Sequence, residues 1–418
     1  MKIWIVNPFD PLPGEREQLG RYAHLASALR EAGHEVLWWS STFWHRFKRE
    51  VDRDLVTAGA KEWGIDIRLV PTPPYTKNVS IRRLRSHRAF GRAFQRLARD
   101  RPRPDIILAS SPPLESACEA ARLGEDWGVP TVIDIQDQWP DNFVRVMPPA
   151  LRWLSGLLLR SYYALEREAC SRATGIVGVG QGYVDRGVHV GGRKKYEGMF
   201  PLGVSLKEVG EAIQEGTAQY GDKWTKPQDQ IWVLYSGSLS YNYDFLTIVR
   251  AAIPIREKYG DGVRFILTGR GELSGEAEEI IRQHNLDNVT MTGFLDFGEW
   301  ACILSQTDAG FNASFPDALI YFPNKIFYYL AAGAAVLNTI PGQCAELVDK
   351  QGCGLNYTAG DPQSCFEAIS QLVESPEKLA SMGHESRRLA EEVYDRSIVY
   401  TDMTRFLEKI VADNEARP

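Results

Sequence analysis

Residues 316–339 have the sequence PDALIYFPNKIFYYLAAGAAVLNT. Pro323 suits the first position of a helix, because its missing N–H would have no partner there. Gly333 suits the left-handed residue that ends a helix. The apolar run at residues 334–337 is typical of a buried strand. The stretch therefore predicts a helix that leads directly into a buried strand.

Lys325 falls in the first turn of this predicted helix. The free N–H groups and the dipole of a helix start attract negative charge, so a cation there is unfavourable by about 0.3–1 kcal/mol. An exposed lysine is the ordinary alternative. We predict instead that Lys325 faces a phosphate-bearing ligand.

The composition is that of a globular protein. A chain of 418 residues is long enough for two or three domains. No apolar run reaches the roughly 18 residues that cross a bilayer. The first residues, MKIWIV, lack the layout of a signal peptide. We therefore expect a cytoplasmic protein that begins with a strand.

The cysteines and histidines do not form a recognisable ligand set. None of the six cysteines belongs to a Cys-x-x-Cys pair, and the seven histidines are scattered without a His-Glu-x-x-His motif. Reduced, buried cysteines are the expected outcome. We predict no metal and no cofactor.

Charge is distributed unevenly along the chain. Residues 1–205 carry 30 Lys and Arg against 23 Asp and Glu, and residues 82–103 hold nine arginines and a single acid, Asp100. Such a segment is commonly a solvated helix face, but it can also bind nucleic acid or an anionic membrane. Since no zinc finger or RNA-binding signature accompanies it, we expect no nucleic acid. An anionic membrane surface or a phosphate-bearing acceptor is the favoured partner.

The first half opens with the pattern of a Rossmann-like parallel sheet. A strand at residues 2–7 is followed by a loop with Gly14 and Gly20, a helix at 21–32 and a strand at 35–40. The loop is not Gly-x-Gly-x-x-Gly, which argues against a dinucleotide cofactor. Further strands are predicted at residues 65–70, 105–109, 131–135 and 175–179, with one long helix at 151–171, and residues 198–204 close this half of the chain.

The pattern restarts after a polar segment at residues 205–230, which we interpret as a partly helical linker. Strands are predicted at residues 231–235, 263–268, 289–292 and 309–312, and the chain ends in an amphipathic helix at 398–412. Two α/β domains of similar size therefore stand in tandem. A cleft between two such domains is the expected ligand site.

Three residues after strands are candidates for the site. Gly237 would allow a phosphate to approach the backbone, and Arg270, between two glycines, matches phosphate geometry. Asp137 follows the strand at 131–135, where parallel sheets bind ligands. Its ordinary alternative is a carboxylate that caps a turn.

Motifs along nearly the whole chain are similar to those of one known family. They are Gly20-Arg21, Gly33-His34-Glu35-Val36, Ser110-Ser111-Pro112-Pro113, Asp134-Ile135-Gln136-Asp137-Gln138-Trp139-Pro140, Tyr235-Ser236-Gly237-Ser238-Leu239, Gly293-Phe294 and Pro323-Asn324-Lys325. The chain resembles the retaining glycosyltransferases of family 4, in the branch that builds bacterial surface glycans.

The resemblance implies an α/β protein of the GT-B fold, with two Rossmann-like domains facing across a cleft. It implies an acceptor domain at residues 1–204, the linker at 205–230 and a nucleotide-sugar domain at 231–395. The helix at 396–418 would cross back to the first domain.

The resemblance also implies roles for individual residues. Lys325 and Arg270 would hold the donor's diphosphate and stabilise its charge, and Asp137 would face the sugar or acceptor as a third catalytic group. The remaining donor-binding residues would be Gly14, whose loop closes over the donor, Gly237 and Ser238 at the phosphates, Phe294 and Leu295 at the base, Asn324 beside Lys325, and Tyr328 at the ribose.

The implied reaction is transfer of a sugar, with retention and without a metal, from a nucleoside diphosphate sugar to a glycan or lipid-linked acceptor. The implied pathway is the synthesis of a bacterial surface polysaccharide such as lipopolysaccharide. The enzyme would be cytoplasmic and peripheral at the inner face of the membrane. No cofactor is implied, because the nucleotide sugar is a substrate.

Several positions depart from the family pattern, and one group is residues 241–243, which stand just after the Ser236–Leu239 turn where many members carry basic residues. Tyr328 stands where the family usually has a glutamate that holds the ribose, and Ile320 stands where a second glutamate is usual. Tyrosine cannot accept two hydroxyl groups as a carboxylate does. A non-catalytic protein that binds a nucleotide or glycan, or scaffolds a partner, is therefore an alternative. A nucleotide-sugar epimerase of the same fold is a third possibility, although His24 is the one histidine near the early loop.

Overall fold

The computed structural model describes residues 1–14 and 19–416, which form two compact units. Unit 1 contains Met1–Pro201 and the residues from Val399 onward, and unit 2 contains Leu202–Ile398. No helix within the described residues is both long and apolar enough to cross a membrane. All six cysteines are buried and unbridged, as predicted.

Unit 1 is built on a seven-stranded parallel sheet with the order β5-β2-β1-β6-β7-β8-β9, and a short antiparallel pair, β3-β4, lies apart from it. The strands are β1 Lys2–Val6, β2 Glu35–Ser41, β3 Phe43–Trp44, β4 Arg49–Glu50, β5 Asp66–Val70, β6 Ile106–Ser111, β7 Thr131–Ile135, β8 Gly175–Gly178 and β9 Tyr196–Met199. The helices are α1 Arg21–Glu31, α2 Arg53–Trp63, α3 Ile81–Ala98, α4 Leu114–Trp127, α5 Asp141–Val146, α6 Ser155–Leu158, α7 Arg160–Arg172 and α8 Gln181–Gly191.

Unit 2 is built on a six-stranded parallel sheet with the order β12-β11-β10-β13-β14-β15. The strands are β10 Ile231–Ser236, β11 Val263–Thr268, β12 Val289–Gly293, β13 Ala309–Asn312, β14 Ala335–Asn338 and β15 Gly354–Asn356. The helices are α9 Leu206–Tyr220, α10 Phe245–Tyr259, α11 Ser274–Gln283, α12 Phe297–Leu304, α13 Lys325–Ala332, α14 Gln343–Gln351, α15 Pro362–Glu374 and α16 Pro376–Leu389, and α17 Arg396–Glu415 continues from unit 2 into unit 1.

Both sheets have helices on two faces, which explains why their strands are almost wholly apolar. In β10, Val233 and Tyr235 pack into one core cluster, whereas Trp232 and Leu234 pack into the cluster on the other face. Alternate residues of a strand point to opposite faces, so one short apolar run supplies both cores. Each unit thus has the Rossmann-like architecture that the sequence predicts.

Both sheets also reverse their strand order in the middle. In unit 1 the chain moves outward from β1 to β5 and then restarts beside β1 at β6. In unit 2 it moves from β10 to β12 and restarts beside β10 at β13. Ligands of such sheets bind beyond the carboxyl ends of the strands at this reversal.

Helix α17 continues across the boundary between the units. From Val399 onward its residues belong to unit 1, where Tyr400, Met403 and Leu407 join the core cluster that contains Ile3 and Ile5 of β1. Its apolar spacing of three to four residues places these side chains on one face. The end of the chain is therefore part of the hydrophobic core of unit 1.

Several local predictions differ from the structure. The single helix predicted at residues 151–171 is wrong: a 3-10 turn at Pro149–Leu154 is followed by α6 and α7, because Leu159 leaves helical geometry between them. The segment at 205–230 is partly helical, as predicted, and its helix α9 packs against α12 within unit 2.

Helix α13 also begins later than predicted. Its first residue is Lys325 rather than Pro323, and Asn324 is the residue before it. Gly333 ends the helix in the left-handed conformation at φ 67°, as predicted. The late start leaves Lys325 as the first residue of the helix.

Candidate functional site

The candidate site lies beyond the carboxyl ends of β10, β11 and β12 in unit 2. The turns that follow β10 and β11 contact each other through their backbones, since Gly237 N–H donates to Thr268 O over 3.0 Å and Leu239 N–H donates to Arg270 O over 3.1 Å. Gly269 N–H donates in turn to Gly293 O at the end of β12 over 2.8 Å. These bonds align three glycine turns along one edge of the sheet.

Glycine is required where these turns meet. Gly237 and Gly269 have φ values of 146° and 130°, which side-chain-bearing residues rarely adopt. A Cβ on Gly269 would lie 1.8 Å from the carbonyl oxygen of Gly237. The close approach of the two backbones therefore depends on the absence of side chains.

The ammonium of Lys325 lies against the first of these turns. Its Nζ is 3.1 Å from the position that a Cβ on Gly237 would occupy. This nitrogen is buried and has no hydrogen-bond partner among the described residues. Burial lowers the pKa of Lys325 to about 7. A buried cation without a counter-ion is costly, so the site is prepared for an anion.

Two tyrosine rings flank this ammonium. Nζ of Lys325 lies 4.4 Å from the ring centroid of Tyr235 and 4.6 Å from that of Tyr243. The negative faces of aromatic rings attract cations, by about 0.5–2 kcal/mol. Burial raises the pKa of both tyrosines, so both phenols remain neutral near neutral pH. The rings position the cation without neutralising it.

Arg270 lies on the exposed surface of the second turn. Its Nε is 3.5 Å from the position of a Cβ on Gly293, which places the guanidinium over the third turn. The structure thus brings Lys325, Gly237, Arg270 and Gly293 together, as a diphosphate site would require. No ion pair of Arg270 occurs within the part of the chain that the structure describes.

The other donor-site predictions lie around the same edge. Ser238 is exposed beside Gly237, and Asn324 is exposed directly before Lys325. After β12, the side chain of Phe294 is 74% exposed, while Leu295 packs against the core cluster that contains α13. An exposed aromatic ring at the end of a strand can offer a flat apolar surface to a base.

The side chain of Tyr328 is buried and does not present an open surface to a ribose. Only 7% of it is exposed, and its ring packs edge-on against Trp300 with the centroids 5.1 Å apart. Trp300 donates from Nε1 to Ser236 Oγ over 2.5 Å, and Ser236 Oγ also bonds to Thr268 Oγ1 over 2.8 Å. Tyr328 is thus linked to the first glycine turn through Trp300.

The two predicted site residues of unit 1 lie elsewhere in the fold. Asp137 follows β7, and its Oδ1 accepts from Gln138 N–H over 2.9 Å and from the Asn142 side chain. Burial raises the pKa of Asp137. Gly14 packs on α2, where a Cβ would lie 2.0 Å from Leu55 O. The loop predicted to close over the donor continues into residues 15–18, which lie outside the described residues.

Sequence reasoning missed three aromatic residues of the site. Tyr235 lies inside a strand, and Trp300 lies inside a helix, so their local patterns indicate only core packing. Tyr243 had a weak signal, because it stands just after the Ser236–Leu239 turn, where many members of the family have basic residues. Its ring contact with Lys325 shows that the position still faces the site.

Two family models match the chain. Residues 19–196 match the glycosyl transferase 4-like domain, and residues 230–375 match the glycosyl transferases group 1. Together these models span most of both units. The two Rossmann-like sheets define the GT-B class of fold, and the chain belongs to the GT-B glycosyltransferases.

Solved structures of glycosyltransferases share this fold. HepE of Anabaena in complex with UDP-glucose is 18% identical, with a TM-score of 0.66 over 98% of this chain and 100% of that chain. Sucrose-phosphate synthase of Thermosynechococcus elongatus is 16% identical, with a TM-score of 0.70 over 99% of each chain. WaaG, a glycosyltransferase involved in lipopolysaccharide biosynthesis, is 12% identical, with a TM-score of 0.62 over 96% of this chain and 99% of that chain. No curated protein sequence matches significantly.

Proposed function

We propose that the protein transfers a sugar from a nucleoside diphosphate sugar to a glycan or lipid-linked acceptor, with retention and without a metal. The observation that carries the proposal is the ammonium of Lys325, buried at the Gly237 turn without a hydrogen-bond partner in the described part of the chain. A diphosphate would supply the missing negative charge. The synthesis of a bacterial surface polysaccharide such as lipopolysaccharide is the proposed pathway.

The proposed reaction breaks the bond between the anomeric carbon and the donor's diphosphate oxygen. The electron pair leaves with the nucleoside diphosphate, the acceptor oxygen bonds to the anomeric carbon on the same face, and the acceptor's proton passes to the leaving diphosphate. Charge grows on the leaving group as the bond breaks. Lys325 and Arg270 stabilise that charge most strongly in the transition state, which is how such contacts accelerate a reaction.

Asp137 is the proposed catalytic group of unit 1. Burial raises the pKa of its carboxyl, and its Oδ1 is engaged by Gln138 and Asn142. We assign it to orienting the sugar or acceptor hydroxyl groups. The proposed roles of Phe294, Leu295 and Tyr328 are to contact the base and the ribose, and closure over the donor is assigned to the Gly14 loop.

The first donor to test is a UDP-sugar, because HepE structures of similar fold contain UDP and UDP-glucose. Binding of UDP, GDP, CDP and dTDP to the full chain should be measured by calorimetry, and hydrolysis of the matching nucleotide sugars by product release. Lys325→Met should lower turnover by about 10²–10³-fold, the typical loss of one charge-stabilising donor.

Lys350→Met is the matched control, since Lys350 is an exposed lysine of unit 2 paired with Glu346. It should leave nucleotide binding and turnover unchanged. The proposal fails if no nucleotide binds to the wild-type chain, or if Lys325→Met binds and reacts as the wild type does.

Tyr328 favours a second candidate, a protein that binds a nucleotide or glycan without catalysis. Its buried ring against Trp300 offers no carboxylate for the ribose. A non-catalytic protein would bind nucleotides but release no sugar from any nucleotide sugar, with or without lipid extract. Turnover that Lys325→Met abolishes would exclude this candidate.

The proposed location is the cytoplasmic surface of a membrane. In unit 1, Trp153 is 79% exposed and Leu157 is 70% exposed, and both lie in the short helical turns before α7. Arg145 and Arg152 adjoin them, joined by an Arg152 Nη2 bond to the Arg145 carbonyl. Exposed apolar side chains beside arginines suit shallow insertion into an anionic bilayer.

Vesicle sedimentation tests this location. The chain should bind phosphatidylglycerol-containing vesicles more tightly than pure phosphatidylcholine. The variant Trp153→Ser/Leu157→Ser should weaken binding by about tenfold or more, because each buried apolar side chain contributes about 1.5–3 kcal/mol. Val393→Ser, which changes an exposed apolar residue of unit 2, should have no effect. Equal binding by all three proteins would exclude insertion at this surface.

A further inference from the structure

Unit 1 contains a second group of polar side chains, two of them cations, that the proposed donor site does not use. It consists of His45 and Lys48 between β3 and β4, Tyr75 after β5, and Arg83 and His87 on α3, and we call these five residues the basic cluster. Their elements lie at the carboxyl-terminal edge of the sheet, next to the Phe9 and Trp139 loops. This is the edge at which parallel sheets bind ligands.

Direct contacts join the members of the basic cluster. Nζ of Lys48 lies 3.4 Å from Nδ1 of His45 and 5.1 Å from the ring centroid of Tyr75. On α3, Nε of Arg83 donates to Nε2 of His87 over 3.3 Å. His45 bonds to the hydroxyl of Tyr75, and the ring of Tyr75 lies edge-on to that of His87 with the centroids 6.4 Å apart. The cluster is therefore one connected group.

Two aromatic rings hold the guanidinium of Arg83 in place. Its Cζ lies 4.9 Å from the ring centroid of Trp139 and 5.7 Å from that of Phe9. Stacking on aromatic rings favours arginine over lysine, because the guanidinium is planar and weakly hydrated. Nη1 of Arg83 donates to Asn78 O over 2.9 Å. The side chain is thus oriented before any ligand arrives.

The cations of the cluster lack acidic partners. Neither Lys48 nor Arg83 has a carboxylate within ion-pair distance in residues 1–14 and 19–416. Asp137 is engaged by Gln138 and Asn142, and Glu115 accepts from Tyr162 over 3.1 Å. Burial lowers the pKa of Lys48, and the charge of Arg83 lowers it further. Both observations indicate positive charge that the fold leaves uncompensated.

His87 provides a separate indication of an unfilled site. It is 2% exposed, and its Nδ1 has no hydrogen-bond partner among the described residues. The closest carboxylate oxygen, Glu115 Oε2, lies 3.9 Å away and is also buried without a partner. Lys48 has a left-handed backbone with φ 56°, which is uncommon for a residue with a side chain and tends to occur at functional sites.

We propose that the basic cluster binds a phosphate or diphosphate group carried by the acceptor. This inference rests on the proposed function, because it assigns the acceptor side of the same transfer. Arg83 would bind phosphate oxygens with its forked N–H groups, Lys48 would act as a point charge, and the hydroxyl of Tyr75 would donate a third bond. Val79 and Ile81, 61% and 70% exposed at the start of α3, would meet an apolar chain attached to the phosphate.

The test uses full-length Lys325→Met, so that anion binding at the donor site does not interfere. Inorganic pyrophosphate, farnesyl diphosphate and farnesol are titrated into it by calorimetry. Adding Lys48→Met or Arg83→Gln should weaken binding of both diphosphates by about tenfold or more, since each removes a charge-assisted contact. Lys61→Met and Arg193→Gln, which change exposed cations of unit 1, should leave both affinities unchanged.

The probes also distinguish the source of the phosphate. Tighter binding of farnesyl diphosphate than of pyrophosphate supports a lipid-linked acceptor, and equal binding supports a water-soluble phosphorylated acceptor. The inference is overturned if Lys48→Met and Arg83→Gln bind diphosphates as their parent does, or if farnesol binds as tightly as farnesyl diphosphate. Circular dichroism establishes that Arg83→Gln is folded, and Lys48→Met provides the same test on a side chain that is only partly buried.

Failure of this inference can be told apart from failure of the proposed function. Nucleotide binding to the wild-type chain tests the donor site, whose proposed diphosphate-binding residues all belong to unit 2. Loss of diphosphate binding in the Lys48 and Arg83 variants, with nucleotide binding retained when Lys325 is restored, would assign the two ligands to separate sites.

Discussion

The two sheets share the same order over six strands, to which unit 1 adds a seventh, and each unit carries a buried cation at the first residue of a helix. Arg21 begins α1 in unit 1, and Lys325 begins α13 in unit 2. Arg21 is bonded to a carboxylate and to main-chain oxygens, whereas Lys325 has no hydrogen-bond partner among the described residues. A buried cation at a helix start is thus hydrogen-bonded in unit 1, whereas in the described part of unit 2 it has no hydrogen-bond partner.

The network around Arg21 is closed. Its Nε donates to Asp134 Oδ2 over 2.7 Å, and Nη1 donates to the Phe200 carbonyl over 2.7 Å. Tyr22 adds a bond from its hydroxyl to Asp134 over 2.7 Å, and Nη2 of Arg21 contacts Met403 of α17. Arg21 and Asp134 therefore connect α1 with β7, with the end of β9 and with the last helix.

The difference separates a structural charge from a ligand-binding charge. A buried ion pair is tolerated when hydrogen bonds satisfy both partners, and this is the state of Arg21 and Asp134. Among the described residues, Lys325 is flanked by two tyrosine rings and the Gly237 turn rather than by a carboxylate, so an anion has to bind before its burial is compensated. The comparison predicts opposite responses to removing the two cations.

Removing the cation of unit 1 should have the largest effect. Arg21→Met should lower the free energy of unfolding by about 3–5 kcal/mol, because Asp134 would remain as an uncompensated buried charge. Urea denaturation followed by circular dichroism measures it. Arg21→Met/Asp134→Leu should recover part of the loss, and the exposed Arg193→Met should cost almost nothing. A loss below about 1 kcal/mol would mean that the network is not structural.

Removing the cation of unit 2 should have the opposite sign. Without a ligand, Lys325→Met should raise the free energy of unfolding by about 1–3 kcal/mol at pH 6. The pKa of Lys325 in the folded chain is about 7, below its ordinary value, so its penalty is complete below pH 7 and shrinks as the pH rises. The gain should therefore be smaller at pH 9 than at pH 6. If Lys325→Met lowered the free energy of unfolding at pH 6, the two cations would not differ in the sign of their effect on stability.

The same titration should appear in ligand binding. A bound diphosphate favours the charged lysine and raises its pKa, so binding takes up a proton once the pH exceeds about 7. Nucleotide affinity should be constant below that pH and fall by up to about tenfold per unit above it. Calorimetry of UDP binding in buffers of different ionisation enthalpy measures both the slope and the proton uptake. If the affinity of the wild type did not depend on pH, or if Lys325→Met showed the same slope, the titrating group would not be Lys325.

The smallest predicted effect concerns the support of the first turn. Trp300→Phe removes the bond to Ser236 while keeping the ring contact with Tyr328, and it should cost about 0.5–1.5 kcal/mol of nucleotide binding energy. Trp153→Phe, on the exposed surface of unit 1, is the control. Unchanged affinity in Trp300→Phe would show that the turn keeps its geometry without this bond.

Much of the fold can be predicted from local patterns. The strands Thr131–Ile135, Val263–Thr268 and Ala309–Asn312 lie where the sequence pattern places them. The failures have local causes too: the helix predicted at 151–171 is broken near Leu159, although its apolar spacing continues. The spacing of apolar residues indicates which face of a helix is buried, but it does not indicate where the backbone leaves helical geometry.

The site divides in the same way. Lys325 at a helix start, and the glycine turns at Gly237 and Gly269, are visible in the sequence because each has a local physical signature. The tyrosines beside Lys325 are not, since a tyrosine in a buried strand has the same pattern whether or not it touches a cation. The sequence shows a tyrosine at position 328, where the family usually has a glutamate, but the packing of Tyr328 against Trp300 depends on a second helix.

The sequence by itself determined two Rossmann-like halves and a cation at the start of the helix in each. Only the tertiary structure decided what each cation meets. Arg21 finds Asp134, 113 residues away along the chain, and Lys325 finds two tyrosine rings and a glycine turn. Periodicity and helix ends arise from neighbouring residues, whereas the partner of a buried charge depends on which distant strands and helices pack together.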